Sequence, residues 1–184
     1  CIAARTNAVQ FGLRDKIVNN KNFEIVVPLY SRLMAKGAGE NVKGIFGSTN
    51  WHWSLQDRDD ASKAFVRSFG AKYGFPPSQA AHTVYCQTLL YADACNRAGT
   101  FNPCGVGEAL EGFEFDGLGN GKTLYRAEDH QCFKDVLVVK GKENPTSEFD
   151  LLEIVEVTPA AQVSYAPDHP MFAGGDLGAC NPGA

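Results

Sequence analysis

Two tryptophans flank a histidine at Trp51-His52-Trp53, and these residue types at this spacing could recognise a small molecule. Large aromatic rings are costly to leave in water. A pair of them after a predicted buried strand either packs under a hinge or lines a cleft wall against an apolar or planar solute. Trp51 and Trp53 are therefore candidate ligand contacts. His82, about one helical turn before Tyr85, could face the same cleft; the alternative is a hydrogen-bonding group at a helix start. A second candidate is the loop over residues 19–24, where Asn20, Lys21, Asn22 and Phe23 follow one another. A cation among amides suits a carboxylate or a neutral amide better than a free α-ammonium group. The competing reading is a solvated loop whose asparagines make the turn.

Other groupings read as structure. Asp129-His130-Gln131 suggests a triad fragment, but adjacent residues on an extended chain point to opposite faces, so Asp129 is poorly placed to orient the His130 ring. No Gly-x-Ser-x-Gly elbow and no nucleophilic cysteine context accompanies it. Gly117-Leu118-Gly119-Asn120-Gly121-Lys122 has the wrong glycine spacing for a phosphate loop and reads as a hairpin turn. The six cysteines, Cys1, Cys86, Cys95, Cys104, Cys132 and Cys180, include no Cys-x-x-Cys, so neither a metal site nor a cofactor is expected. Cys86 and Cys95 lie half a turn out of phase in one helical pattern and should stay unpaired. Cys104, Cys132 and Cys180 lie in or beside loops and could form a bridge in an oxidising compartment, with the pair left open. Cys1 could be the lipidated residue of a processed lipoprotein; against that, residues 8–11 already read as helix where a polar tether would stand. No basic region followed by an apolar one opens the chain, so any export signal is expected to be gone or never included.

The elements that must position these residues alternate. Residues 4–12 read as the end of a helix stopped by Gly12, and residues 16–19 as a short strand. Residues 23–36 place Val26, Val27, Tyr30, Leu33 and Met34 at helical spacing, with Pro28 in the first turn. Residues 42–47, with Gly44 to Gly47 at their centre, read as an interior strand leading to the tryptophan loop. Asp59-Asp60 open a helix carrying Phe65, Phe69 and Tyr73 and ending at Gly74. Ser78 opens the longest helix, with Ala81, Val84, Tyr85, Leu89, Ala92 and Cys95 as its inward stripe, and a shorter helix spans residues 106–110. The last third holds strand-like segments at residues 112–115, 123–126, 133–139 and 151–157. Together these predict an α/β fold: a three-layer, mostly parallel sheet with helices on both faces and a C-terminal antiparallel hairpin region. Residues 1–160 form the lobe, and residues 161–184 an irregular tail.

The bulk composition fits a globular domain. The chain has 184 residues, 44% hydrophobic and 21% charged. Folding at this length buries roughly 70% of the unfolded chain's surface, enough for a core without metal. A net charge of −4 argues against nucleic acid as a partner. No apolar run approaches the roughly 20 residues needed to span a bilayer.

Several segments, in order and spacing over residues 8–160, resemble the C-terminal lobe of type I periplasmic solute-binding proteins of the branched-chain amino acid/amide transport class. They are Gln10-Phe11-Gly12-Leu13-Arg14-Asp15-Lys16, Gly44-Ile45-Phe46-Gly47, Trp51-His52-Trp53, Ala64-Phe65 through Tyr73-Gly74, the helix around Tyr85, Glu111-Gly112-Phe113, and Tyr125-Arg126-Ala127-Glu128-Asp129-His130-Gln131. The resemblance implies extracytoplasmic, periplasmic binding of a small polar organic solute (an amino acid, amide or related carboxylate) for ABC-type import. No chemical step is implied. The implied partners are the solute, a missing N-terminal lobe and an ABC permease. In the amino-acid binders the loop matching residues 19–24 supplies an acidic contact for the ligand's amino group; here the aligned position falls near Lys21. The alternatives are a ligand-sensing regulatory domain of the same fold or a small α/β hydrolase using His130 or His82 as base.

Overall fold

Four short strands make the sheet that carries the core, and the physical chemistry of a few residues sets where each begins. The coordinates are a computed structural model that describes residues 2–116, 119–171 and 180, so Cys1, Gly117, Leu118 and most of the tail lie outside the described residues. The chain opens with helix α1 (Ile2–Gln10), closed by Gly12 in the left-handed region. Strands β1 (Ile17–Val18) and β2 (Lys21–Asn22) then pair antiparallel as a hairpin. Asn19 and Asn20 form its turn, at φ 53° and 60°. Two consecutive left-handed residues suit a tight two-residue hairpin, and asparagine tolerates that conformation better than most side chains.

The helix expected over residues 23–36 is a strand followed by a shorter helix. Val26–Val27 form β3, and α2 spans Arg32–Ala38. The β-branched pair and the restriction Pro28 imposes on Val27 outweigh the helical spacing of the apolar residues. Ser31 then starts α2 by accepting the Met34 N–H at 3.1 Å. A 3₁₀ turn at Gly39–Val42 leads into β4 (Phe46–Thr49), which starts four residues and ends two residues later than the expected strand but is interior as expected. Gly47 is required there: a Cβ would sit 2.5 Å from the Val27 carbonyl oxygen and 2.6 Å from Tyr30 Cβ.

Helix α3 (Asp60–Tyr73) is capped by Asp59, which accepts the Ser62 N–H and hydroxyl, both at 2.7 Å, and it stops at Gly74 with φ 75°. Helix α4 (Gln79–Ala98) begins at Ser78, whose Oγ accepts the Ala81 N–H, and ends at Gly99. Its buried residues are His82, Leu90, Ala94 and Cys95. Of the expected stripe Cys95 is buried, but Val84, Tyr85 and Leu89 are turned outward, at 66, 42 and 51% exposed. Helix α5 (Pro103–Leu110) follows, capped by Asn102.

The last third is strand-rich, as read. Strands β5 (Glu114–Asp116), β6 (Lys122–Tyr125) and β7 (Cys132–Phe133) form an antiparallel sheet of their own. Strands β8 (Val136–Gly141) and β9 (Leu152–Thr158) form a hairpin that completes the main sheet, ordered β3-β4-β8-β9. A short helix, α6 (Ala160–Val163), follows. The α/β class and the C-terminal antiparallel region stand. Among the described residues parallel pairing is limited to β3 with β4, because β8 and β9 are joined by a loop and return antiparallel. Val27, Tyr30, Ile45, Trp51, Phe65, Leu137 and Val139 centre the main core, while Ala94, Cys95 and Val106 form a smaller one between α4 and α5.

Candidate functional site at the end of the parallel ladder

In an open α/β sheet the carboxyl ends of parallel strands are where loops can present side chains to a ligand. Here β3 delivers residues 28–31 and β4 delivers residues 50–53 at neighbouring positions of one edge. Tyr30 N–H donates to the Ser48 carbonyl at 2.7 Å, which ties the first loop to β4.

The tryptophans divide between core and surface. Trp51 is 1% exposed and stacks on His82, itself 2% exposed, with ring centres 4.4 Å apart and planes 7° apart. Phe65 meets the Trp51 ring edge-on at 5.9 Å. Trp51 and His82 thus sit in the core of the isolated lobe instead of lining an open wall, because α4 presents its His82 face, not its Tyr85 face, to the β4 loop. Trp53 is half-buried, its indole Nε1 has no hydrogen-bond partner, and its ring borders a concavity of about 390 Å³.

His52, between them, points inward: it is 5% exposed, and its Nδ1 lies 2.8 Å from the Ser54 hydroxyl and accepts the Ser54 N–H. Burial pushes its pKa down to about 4, so the ring is neutral at neutral pH. The loop is anchored from two further sides. Asn50 Nδ2 donates to Thr83 Oγ1 of α4 at 3.3 Å, and the fully buried Asn120 donates to the Asn50 carbonyl and, at 3.1 Å, to that of Asp135. The sequence reading missed Asn50 and Asn120; the signal was an asparagine inside a glycine turn, which can bond backbone across a gap.

Asn20, Lys21 and Asn22 are exposed on the β1–β2 hairpin, and Phe23 is 40% exposed. The hairpin belongs to a separate two-stranded sheet, so residues 19–24 do not follow a parallel strand as expected.

The Asp129-His130 pair does not form a catalytic dyad. Asp129 binds the Arg126 guanidinium through both oxygens and accepts the Gln131 N–H, while His130, at φ 54°, turns its Nε2 to Glu111 at 2.9 Å. The Arg126 partnership holds the Asp129 carboxyl below the usual carboxylate range. The turn around Asn120 joins β5 to β6, a hairpin with no helix behind it for a phosphate. Cys104 is bonded to Cys180, while Cys86, Cys95 and Cys132 are free thiols. Burial pushes the Cys86 thiol up to about 11, far from a nucleophilic thiolate. Among the described residues no group of His, Cys, Asp and Glu side chains is placed to hold a metal ion, and no helix is long and apolar enough to cross a membrane.

Residues 5–146 match the family model of periplasmic binding proteins. The chain belongs to that family. Solved structures of the same family share its fold. A periplasmic binding protein from Burkholderia mallei superposes with a TM-score of 0.76 at 22% identity, covering 94% of this chain and 44% of that one. An amino acid ABC transporter substrate-binding protein from Pseudomonas fluorescens gives 0.73 at 20% identity, over 93% and 43%. A leucine-binding protein from Thermotoga maritima gives 0.68 at 21%, over 88% and 42%. A comparison with curated proteins finds no significant match. The chain spans less than half the length of the structures it matches. The family is one of periplasmic binding proteins, and these neighbours are binding proteins by name.

Proposed function

We propose that this lobe supplies one wall of a cleft that binds a small polar organic solute, an amino acid, amide or related carboxylate, outside the cytoplasm for delivery to an ABC permease. The observation that carries the reading is a chain of a binding-protein family in which the parallel ladder of β3 and β4 ends in an anchored aromatic loop. A second lobe closes over the solute by hinge motion, and no covalent step is needed. Trp53 and the hairpin residues Asn20, Lys21, Asn22 and Phe23 make the contacts on this side. Trp51 and His82 act from behind, as the packed platform that fixes the loop. Lys21 favours a carboxylate through a charge-assisted hydrogen bond.

The reading is tested by a thermal-shift screen of a two-lobed protein containing this chain against amino acids, their amides and small carboxylates. At a solute concentration 100 times Kd, binding to the folded state alone adds about 2.7 kcal/mol, a clear rise in Tm. A flat response across all three classes rejects the assignment.

A further inference from the structure

The turn between β5 and β6 is clasped by the tryptophan loop at both of its ends. Asn120 Nδ2 donates to the Asn50 carbonyl at the start of residues 50–58, and Arg58 Nη1 donates to the Gly119 carbonyl at 3.1 Å at their end. Gly119, at φ 80°, comes so close that a Cβ would sit 3.0 Å from Ser62 Oγ and 3.1 Å from the Leu55 carbonyl oxygen. Asn120 is fully buried. Trp53 lies inside the clasped stretch, so the turn holds the proposed solute wall from behind.

The same amide reaches a second segment. Its nitrogen carries two N–H groups, and it also donates to the Asp135 carbonyl, 3.1 Å away and one residue before β8. Asp135 in turn accepts the Ala160 N–H through Oδ1 at 2.9 Å, which fixes the first residue of α6 after the chain leaves β9. Stretches near residues 50, 135 and 160 are thus linked through one buried side chain. Two carbonyl oxygens facing one group can be satisfied only by donors, and an isosteric carboxylate there would leave both of them unpaired.

We infer that Asn120 is a positioning residue for the solute wall: it acts through the Asn50 carbonyl to set the tryptophan loop, and through Asp135 it couples that loop to the start of α6. Its use in binding rests on the solute reading. The coupling does not. A link of this kind has two arrangements, joined and released, so its loss shows as local opening of the segments it joins.

Hydrogen exchange without solute, read peptide by peptide by mass spectrometry on a two-lobed protein containing this chain, tests the inference. Asn120→Asp keeps the shape and removes both donors. It should speed exchange about tenfold over residues 50–58 and residues 160–163 together, as loss of a buried hydrogen-bond partner does, while α2 and the β8–β9 ladder keep wild-type rates. A residue that merely stabilised the fold would raise all of these at once. Asp135→Ala keeps the carbonyl that Asn120 uses and removes only the acceptor for Ala160, so exchange should rise over residues 160–163 alone. Arg58→Gln, on an exposed side chain, frees the turn from its other end. It should raise both segments about threefold and carries the test if Asn120→Asp fails to fold. Unchanged rates in both segments, opening of residues 50–58 with residues 160–163 unaffected, or a uniform rise across the lobe would each overturn the inference. A solute screen without a hit would remove the solute reading and leave the coupling between the two segments standing, so the two failures are told apart.

Discussion

His52 shows how one side chain between two tryptophans acquires a structural task. Held neutral by burial, it titrates in the folded state at about 4, while in the unfolded chain it titrates near 6.5. As pH falls below 6.5 the unfolded state gains a proton that the folded state refuses, so stability drops through the window from 6.5 to 4 and levels off below it. The shift corresponds to about 3 kcal/mol. Urea unfolding of the wild type at pH 7, 5.5 and 4.5 should trace this loss, and His52→Gln should flatten it. An unchanged slope in the variant would place the acid sensitivity elsewhere. The two tryptophans separate by the same logic of burial. Trp51→Ala removes a ring sealed against His82 and Phe65 and should cost about 3–5 kcal/mol of stability. Trp53→Ala should cost clearly less, because its side chain is only partly buried, and denaturation midpoints of the two variants check the order.

At the scale of elements, legibility followed the strength of local signals. Helices α3 and α4 were readable to within a residue or two because Asp59 and Ser78 cap them, Gly74 and Gly99 end them and Pro76-Pro77 separate them. The stripe of α4 was not, since this helix has apolar residues on two faces and periodicity cannot choose between Tyr85 and His82 as the buried one. Residues 23–36 misled for a related reason: the apolar spacing fits a helix, but Val26-Val27-Pro28 is locally extended and only the ladder to β4 reveals it. The tryptophan loop was visible in sequence, whereas its anchors Asn50 and Asn120, and the buried Arg32, depend on approaches across 33 to 70 positions or more that no local pattern encodes. Two substitutions probe the elements directly. Asp59→Ala should cost about 1–2 kcal/mol through the lost cap of α3. Gly47→Ala should cost about 1–3 kcal/mol by forcing β3 and Tyr30 away from β4. Chemical denaturation reads both, and a neutral Gly47→Ala would mean that β3 is not seated as described.

For the whole molecule, the Cys104–Cys180 bond joins the start of α5 to the tail across 76 positions. Closing a loop of that size restricts the unfolded chain, and chain-entropy reasoning gives about 4 kcal/mol. Reduction, or Cys104→Ser, should lower stability by up to that amount, and peptide mapping under non-reducing conditions should recover this pair with Cys86 and Cys95 unlinked. Such a bond fits the oxidising, extracytoplasmic setting proposed for the protein. The central proposal remains the solute wall, and isothermal titration calorimetry on a two-lobed protein containing this chain tests it most directly. The wild type, Trp53→Ala and Lys21→Ala would each be titrated with a matched pair of solutes, one anionic and one neutral. Trp53→Ala should weaken both by a few kcal/mol, as loss of an aromatic anchor does. Lys21→Ala should weaken the anion selectively. Affinities unchanged in both variants would contradict the proposed wall.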